Sequence, residues 1–299
     1  MLLVLGGGFG LVTSHFLTWT TVLALANQAP DTLLVATGMT LVIITGGIDL
    51  SAGSVLALSG AVFGLLLTTT GMPLPVGMVG ALMTGAACGL VNGSVTVRWR
   101  LPSFLVTLAM LEMARGGAYL VTHSQTIYLG ARVDVISGDL VAGLTAPVLL
   151  AVAVVGGGEF VLRRMVFGRQ LLAVGTNEES AHLAGISPGR MRLAAFTIAG
   201  ALAGLAAVVQ AGRLSAVDPN AGTGLELEAI AAVVIGGASL TGGRGSVVNS
   251  ALGALIILVL GAGLAQMGVQ EPTRRLVTGA VIVGSAILDH YRGRGRTAP

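Results

Sequence analysis

The chain has 299 residues, 54% of them hydrophobic and only 10% charged, with a formal net charge of +3 and a mean hydropathy of +0.90. A soluble domain carries about 25% charged residues, so this composition excludes an ordinary water-soluble fold and points to lipid as the main solvent. A single cysteine, Cys88, excludes an intrachain disulfide and multi-cysteine metal sites, and the complete absence of lysine excludes a Walker A phosphate loop and a lysine Schiff base.

A bilayer core of about 30 Å needs roughly 20 apolar residues at a rise of about 1.5 Å each. Residues 1–30 and 50–97 carry no Asp, Glu, Lys or Arg, and further charge-free runs cover 140–158, 193–212 and 245–270. Cut at their turn residues, these runs predict spans near 1–15, 21–45, 51–71, 76–97, 102–122, 142–163, 192–212, 226–240, 246–267 and 273–290. The runs are too continuous for the alternation of barrel strands. The expected fold is an all-α polytopic membrane protein of about ten transmembrane helices, a single domain over 1–299 with one longer loop at 164–191.

Arginine placement fixes the expected orientation. With both termini inside, eleven arginines (Arg98, Arg100, Arg163, Arg164, Arg169, Arg190, Arg192, Arg244, Arg292, Arg294 and Arg296) fall on the cytoplasmic side and four (Arg132, Arg213, Arg274 and Arg275) fall outside. That is the positive-inside bias. It also gives the basic pI, about 9.7, a membrane explanation rather than a nucleic-acid one. Met1 opens directly into an apolar run with no basic leader, so no signal peptide is expected. Four scattered histidines give no metal-ligand spacing.

In chain order, Gly46-Gly47-Ile-Asp49-Leu-Ser51-Ala-Gly53-Ser54 follows an apolar helix. Paired glycines end or break a helix, and Asp49 or Ser51 can cap the next one. The stretch reads first as a capped turn between two spans, a reading compatible with a discontinuous helix beside a pathway. Glu112 and Arg115 share a face of the fifth span and can pair, either as a structural ion pair or as pathway lining. Asn177 or Thr176 can cap a short helix over Glu178–Leu183, with Gly185 ending it. Thr223-Gly-Leu-Glu226 has the spacing of a capping box, and Glu226 and Glu228 complement a helix amino end. Asn27, Gln28, Asn92, Gln210 and Asn220 are hydrogen-bonding groups in or beside spans, each able to meet a sugar or to satisfy neighbouring backbone. Glycines four apart, at 85–89, 89–93 and 200–204, permit close helix packing.

Three stretches, 38–54, 175–186 and 222–243, in this order and spacing, resemble the permease family of bacterial ABC importers for monosaccharides, the ribose-type branch. The resemblance runs from about 16 to 290. It implies a type II importer-like subunit of the bacterial inner membrane, working as a homodimer or with a related permease. It further implies two cytoplasmic ATP-binding subunits that use ATP and magnesium, an extracytoplasmic sugar-binding protein, and no catalytic residue, metal or cofactor on this chain. By that resemblance Asn177, Glu178, Glu179, Ala181, Gly185 and Ile186 belong to the loop that couples to the ATPase. The Gly46–Gly53 stretch becomes a gate candidate, and Asn27, Gln28, Glu112, Arg115 and Gln210 become pathway candidates. Three positions depart from the family pattern: Glu179 and Ser180 replace two alanines, and Gln210 stands where an acid is common. The rival expectations are a branched-chain amino acid permease and an ion-coupled secondary transporter.

Overall fold

Lipid offers no partner to a backbone N–H or C=O, so a spanning chain must satisfy these groups within its own helices. The computed structural model describes residues 1–13 and 16–294, and these are helical almost throughout. The helices are α1 (Leu2–Val12), α2 (Trp19–Ile44), α3 (Ala52–Thr68), α4 (Leu74–Trp99), α5 (Ser103–Val121), α6 (Asp134–Ser137), α7 (Ala146–Arg164), α8 (Val166–Thr176), α9 (Glu178–Leu183), α10 (Pro188–Leu214), α11 (Leu225–Ile235), α12 (Val247–Gln266) and α13 (Glu271–Arg294). Among the described residues a short 3-10 turn (Gly130–Val133) and four short strands complete the list: β1 (Ile127–Tyr128), β2 (Asp139–Val141), β3 (Leu144–Thr145) and β4 (Ala216–Val217). Arg296 and His15, with the last two residues of the first expected span, lie outside the described residues.

Among the described residues, α4, α5, α7, α10 and α12 are long and apolar enough to cross a membrane. With α2 and α3 they make an all-α membrane architecture. Every expected span overlaps a helix, but two of these helices are shorter than expected and too short to cross a bilayer. At 11 residues each, α1 and α11 reach only about 17 Å. The expected span 226–240 stops at Ile235, because the chain turns at Gly236 and at Gly237, which has φ +83°.

The centre of the bundle is α2, buried continuously from Leu33 to Ile44 and packed against α7, α10, α11 and α12. That position explains how it carries Asn27, Gln28, Pro30 and Asp31 within one helix. Pro30 removes a backbone donor and frees a carbonyl, which only surrounding protein or water can tolerate at membrane depth. Asp31, 5% exposed, accepts from Arg213 at 2.9 Å and from Gln210 at 3.4 Å. Sequence inspection singled out Gln210 as a pathway group; here it helps close an ion pair between α2 and α10. Asp31→Ala is expected to cost about 2 kcal/mol. That is less than the 3–5 kcal/mol of a fully buried pair, since the Arg213 side chain retains 32% exposure. A thermal melt in detergent reads the loss, and Asp31→Ala/Arg213→Ala is expected to recover part of it.

Two ends of the bundle are defined by long-range contacts. At one end β1 pairs antiparallel with β4, joining the segments 123–141 and 213–225 that the sequence left as separate polar loops. At the same end Asn27 Nδ2 donates to the Gly143 carbonyl (2.9 Å), and its Oδ1 accepts from the backbone and hydroxyl of Thr145. Asn27 is thereby committed to holding the β2–β3 hairpin on α2. The opposite end gathers the α2–α3 connection, α8, α9 and the loop between α11 and α12.

Candidate functional site

The α2–α3 connection is a built structure rather than a plain turn. Gly46 adopts φ +78°. Asp49 Oδ1 accepts from the Ser51 backbone N–H (2.8 Å) and hydroxyl (2.6 Å), and Asn92 of α4 donates to the Ser51 oxygen (2.9 Å). From α5, the Ser103 hydroxyl accepts the Ile48 N–H, and the Thr107 hydroxyl accepts the Leu50 N–H while donating to the Ile48 carbonyl. Ser51 occupies the N-cap position of α3 but makes no side-chain cap; Asp49 supplies the local bond instead. Asp49, Ser51 and Asn92 are all buried. Side chains of α5 thus satisfy backbone groups of Ile48 and Leu50, and Asn92 of α4 satisfies the Ser51 hydroxyl.

Gly53 sits one step further along α3, where a Cβ would collide with the Gly222 carbonyl and a Glu226 carboxylate oxygen. The loop 215–224 therefore descends along α3, from Val217 beside Gly60 and Gly64 to Gly222 beside Gly53. Half-length α11 starts at that depth. The capping box expected at Thr223–Glu226 does not form: the N-cap is Gly224 at φ +88°, with no side-chain cap. The Thr223 hydroxyl donates instead to the Asn220 carbonyl (2.7 Å). The reason is the turn at Gly222 and Gly224, both at positive φ, which starts the helix one residue late for the box. Glu226 and Glu228 remain in its first turn, where they complement the helix dipole.

The expected Glu112–Arg115 ion pair is also absent among the described residues. Arg115 Nη1 donates to the carbonyls of Pro219 (2.6 Å) and Ala221 (2.8 Å), pinning the descending loop to α5. Those loop carbonyls engage the guanidinium in place of the exposed Glu112 carboxylate one turn back. Asp218 in the same loop accepts from the Asn220 backbone N–H and the Thr126 hydroxyl. The Asn220 bond, ahead of the Thr126 bond, holds its carboxyl below the usual range. Asn220 in turn accepts from the Tyr119 hydroxyl.

At the other end, α9 is a short helix closed at both termini. The Asn177 side chain accepts the Ser180 N–H (2.8 Å); Thr176 turns its hydroxyl back to the Leu172 carbonyl. After Ala184, Gly185 at φ +82° donates to the His182 carbonyl and Ile186 to the Ala181 carbonyl, the paired bonds of a Schellman motif. Ala181 is buried, while Glu179 and Leu183 are exposed. Glu178 is bound in bidentate fashion to Arg192 of α10 (3.0 and 2.8 Å). Exposed pairs are worth about 1 kcal/mol at most, so Glu178→Ala should leave the melting temperature unchanged. Amide exchange over Glu178–Leu183 should rise about fivefold, and unaltered exchange would show that the pair tethers nothing.

All three glycine-rich blocks meet at one junction. Gly243 donates its N–H to the Ile44 carbonyl (2.9 Å). A Cβ on Gly175 would overlap both of those groups, and one on Gly242 would lie 2.9 Å from the Gly46 nitrogen and 3.0 Å from the Gly175 oxygen. The end of α2, the end of α8 and the α11–α12 loop are therefore in backbone contact. Next to this junction Glu159 of α7, not singled out from sequence, accepts from Ser246 Oγ (3.1 Å) and from the Val247 (2.7 Å) and Val248 (3.3 Å) N–H groups, and pairs with Arg163. It caps α12 from a neighbouring helix. A lone acid four residues before an arginine was the available signal. Asp31 was likewise missed, although it too falls within the second expected span, directly after a proline. Among the described residues no group of His, Cys, Asp or Glu is arranged to hold a metal ion.

A many-helix apolar bundle with five helices long and apolar enough to cross a membrane defines a polytopic membrane protein. The family described as branched-chain amino acid transport system / permease component matches residues 21–286, and the chain belongs to that family. It is 35% identical to the ribose import permease protein of Escherichia coli K12, over 97% of this chain and 92% of the relative. It is 34% identical to an L-arabinose ABC transporter permease protein of Azospirillum brasilense (99% and 87%). To a D-allose transport system permease protein of Escherichia coli K12 it is 35% identical (92% and 85%). No solved structure matches the chain. With its relatives and its apolar helices, the chain is a multi-pass membrane protein.

Proposed function

We propose that this chain is the membrane-spanning subunit of an ATP-driven importer for a monosaccharide, acting in the bacterial inner membrane. The observation that carries this is near-full-length identity of about one third to permeases named for ribose, L-arabinose and D-allose. Those names favour a sugar over a branched-chain amino acid. Two copies, or one with a related permease, enclose the path. Both termini and the 164–191 loop lie in the cytoplasm, as the excess of arginines at that end supports. ATP and magnesium are used by two partner subunits, and α9 is the handle they grip. A sugar-binding protein docks at the β1–β4 end. ATP binding moves α9, and the Ile44–Gly175–Gly243 junction carries the motion to the α2–α3 break. Import follows a shift between outward-open and inward-open states.

The test is reconstitution. The purified chain alone should hydrolyse no ATP; the complex with its ATP-binding subunits and binding protein should accumulate ribose, L-arabinose or D-allose in vesicles. Uphill accumulation by the isolated subunit on an ion gradient would overturn the assignment.

A further inference from the structure

Three oxygens beside the α2–α3 connection lack a hydrogen-bond donor. Asp49 is 3% exposed, Asn92 0% and Thr96 8%, so all three are closed off within a single protomer. Asp49 spends Oδ1 on Ser51; among the described residues its Oδ2 accepts no hydrogen bond and no arginine pairs with it. Asn92 spends its amide nitrogen on the Ser51 oxygen, and its Oδ1 is buried without a partner. Thr96 Oγ1 is also buried without a partner. The three residues lie at one level of the bundle. α4 runs antiparallel to α3: a Cβ on Gly77 would touch Phe63 and Leu67, and Asn92 reaches Ser51. The same register carries Thr96, one turn past Asn92 on the same helix face, to the level of residues 47–49.

A buried carboxylate without a counter-charge is costly, and so is a buried oxygen without a donor. A trapped water has two hydrogens for three oxygens and leaves the charge standing. A proton on Asp49 cancels the charge but supplies a single donor. A small hard cation answers both deficits, because carboxylate, amide and hydroxyl oxygens are its ordinary ligands. Asp49 is the only acid in this network, so one positive charge balances it and a divalent ion does not fit. A helix break lined with oxygens is a device that membrane transporters use for such ions.

We propose that Asp49, Asn92 and Thr96 bind one alkali cation, sodium or potassium, which joins the α2–α3 connection to α4. The ion is a fixed counter-charge rather than a driving ion, so the site stands or falls separately from the solute the chain moves. The test is a thermal melt of the full chain, purified in detergent, in sodium, potassium or choline chloride at one ionic strength. An ion held only by the folded state raises the melting temperature with its concentration. Sodium or potassium should therefore raise it above choline in a saturable way, and the one acting at lower concentration identifies the ion. Equilibrium binding of radioactive sodium, or of rubidium in place of potassium, should saturate at one ion per chain. Thr96→Val keeps the shape of the side chain and leaves the bonds among Asp49, Ser51 and Asn92 untouched; it should raise the half-saturating concentration about tenfold. Asp49→Asn should abolish the response, and Thr96→Val decides alone where that variant does not accumulate. Equal melting temperatures in the three salts, or an unchanged response in either variant, overturns the site. A melting temperature that rises on acidification but ignores both cations assigns a proton to Asp49 and overturns it equally.

Discussion

Gly200→Ala is expected to destabilise the protein by about 3 kcal/mol or more, although alanine in a helix normally gains about 1 kcal/mol over glycine. The reason is the rail between α4 and α10. A Cβ at position 200 would collide with the Gly85 carbonyl and lie 2.9 Å from the Gly89 nitrogen; one at position 85 would collide with the Gly200 carbonyl. Gly89 meets the Phe196 carbonyl and Gly204 the Ala81 carbonyl in the same way. Each obstacle is backbone, which cannot swing aside as a side chain can. The two helices must therefore part over several turns, losing close packing along their whole contact. Gly156→Ala, on α7 with nothing within 4 Å of its Cβ, should be neutral or stabilising. Thermal unfolding of both variants in detergent reads the opposite signs directly. A Gly200→Ala protein as stable as the parent would show that the rail does not set the helix spacing.

That rail was legible beforehand, because glycines four residues apart mark one helix face whatever the partner is. The positions of the helices were legible for the same kind of reason: apolar runs of bilayer length have few alternatives, and five of the helices they predict are long and apolar enough to cross a membrane. α9 was also written locally, with Asn177 before and Gly185 after a six-residue helix. What failed were inferences that needed a partner from far away in sequence. Arg115 has an acid three residues back, yet it binds carbonyls more than one hundred residues on. Thr223 and Glu226 have capping-box spacing, yet two left-handed glycines displace the helix start. Spacing along a helix says which groups share a face, not what that face meets. Half-length α11 was mistaken for a full span for a similar reason. Its sequence is as apolar as a crossing, and only the descent of loop 215–224 along α3 shows that it begins part-way through.

The junction of Ile44, Gly175 and Gly243 leads to the second large effect. Gly175→Val is expected to cut sugar uptake by the assembled complex at least about tenfold while the chain still accumulates in the membrane. A side chain at 175 falls where the Gly243 N–H bonds to the Ile44 carbonyl. It must break that bond, worth about 1 kcal/mol, and push two backbone segments apart at a further cost of about 1–3 kcal/mol. Unlike the rail, this contact lies at the ends of its elements: α8 finishes at Thr176, and α2 at Ile44. The strain can therefore be relieved by local displacement of α9, with a smaller fall in melting temperature than Gly200→Ala gives. Displacement of α9 is what a transmission role cannot tolerate. ATP hydrolysis should continue but lose its dependence on the loaded binding protein, because the ATP-binding subunits would move a handle no longer linked through the end of α8 to the end of α2. Normal uptake alongside a lowered melting temperature would assign the junction to stability alone and send the transmission path elsewhere, with the Glu159 cap between α7 and α12 as the next contact to cut.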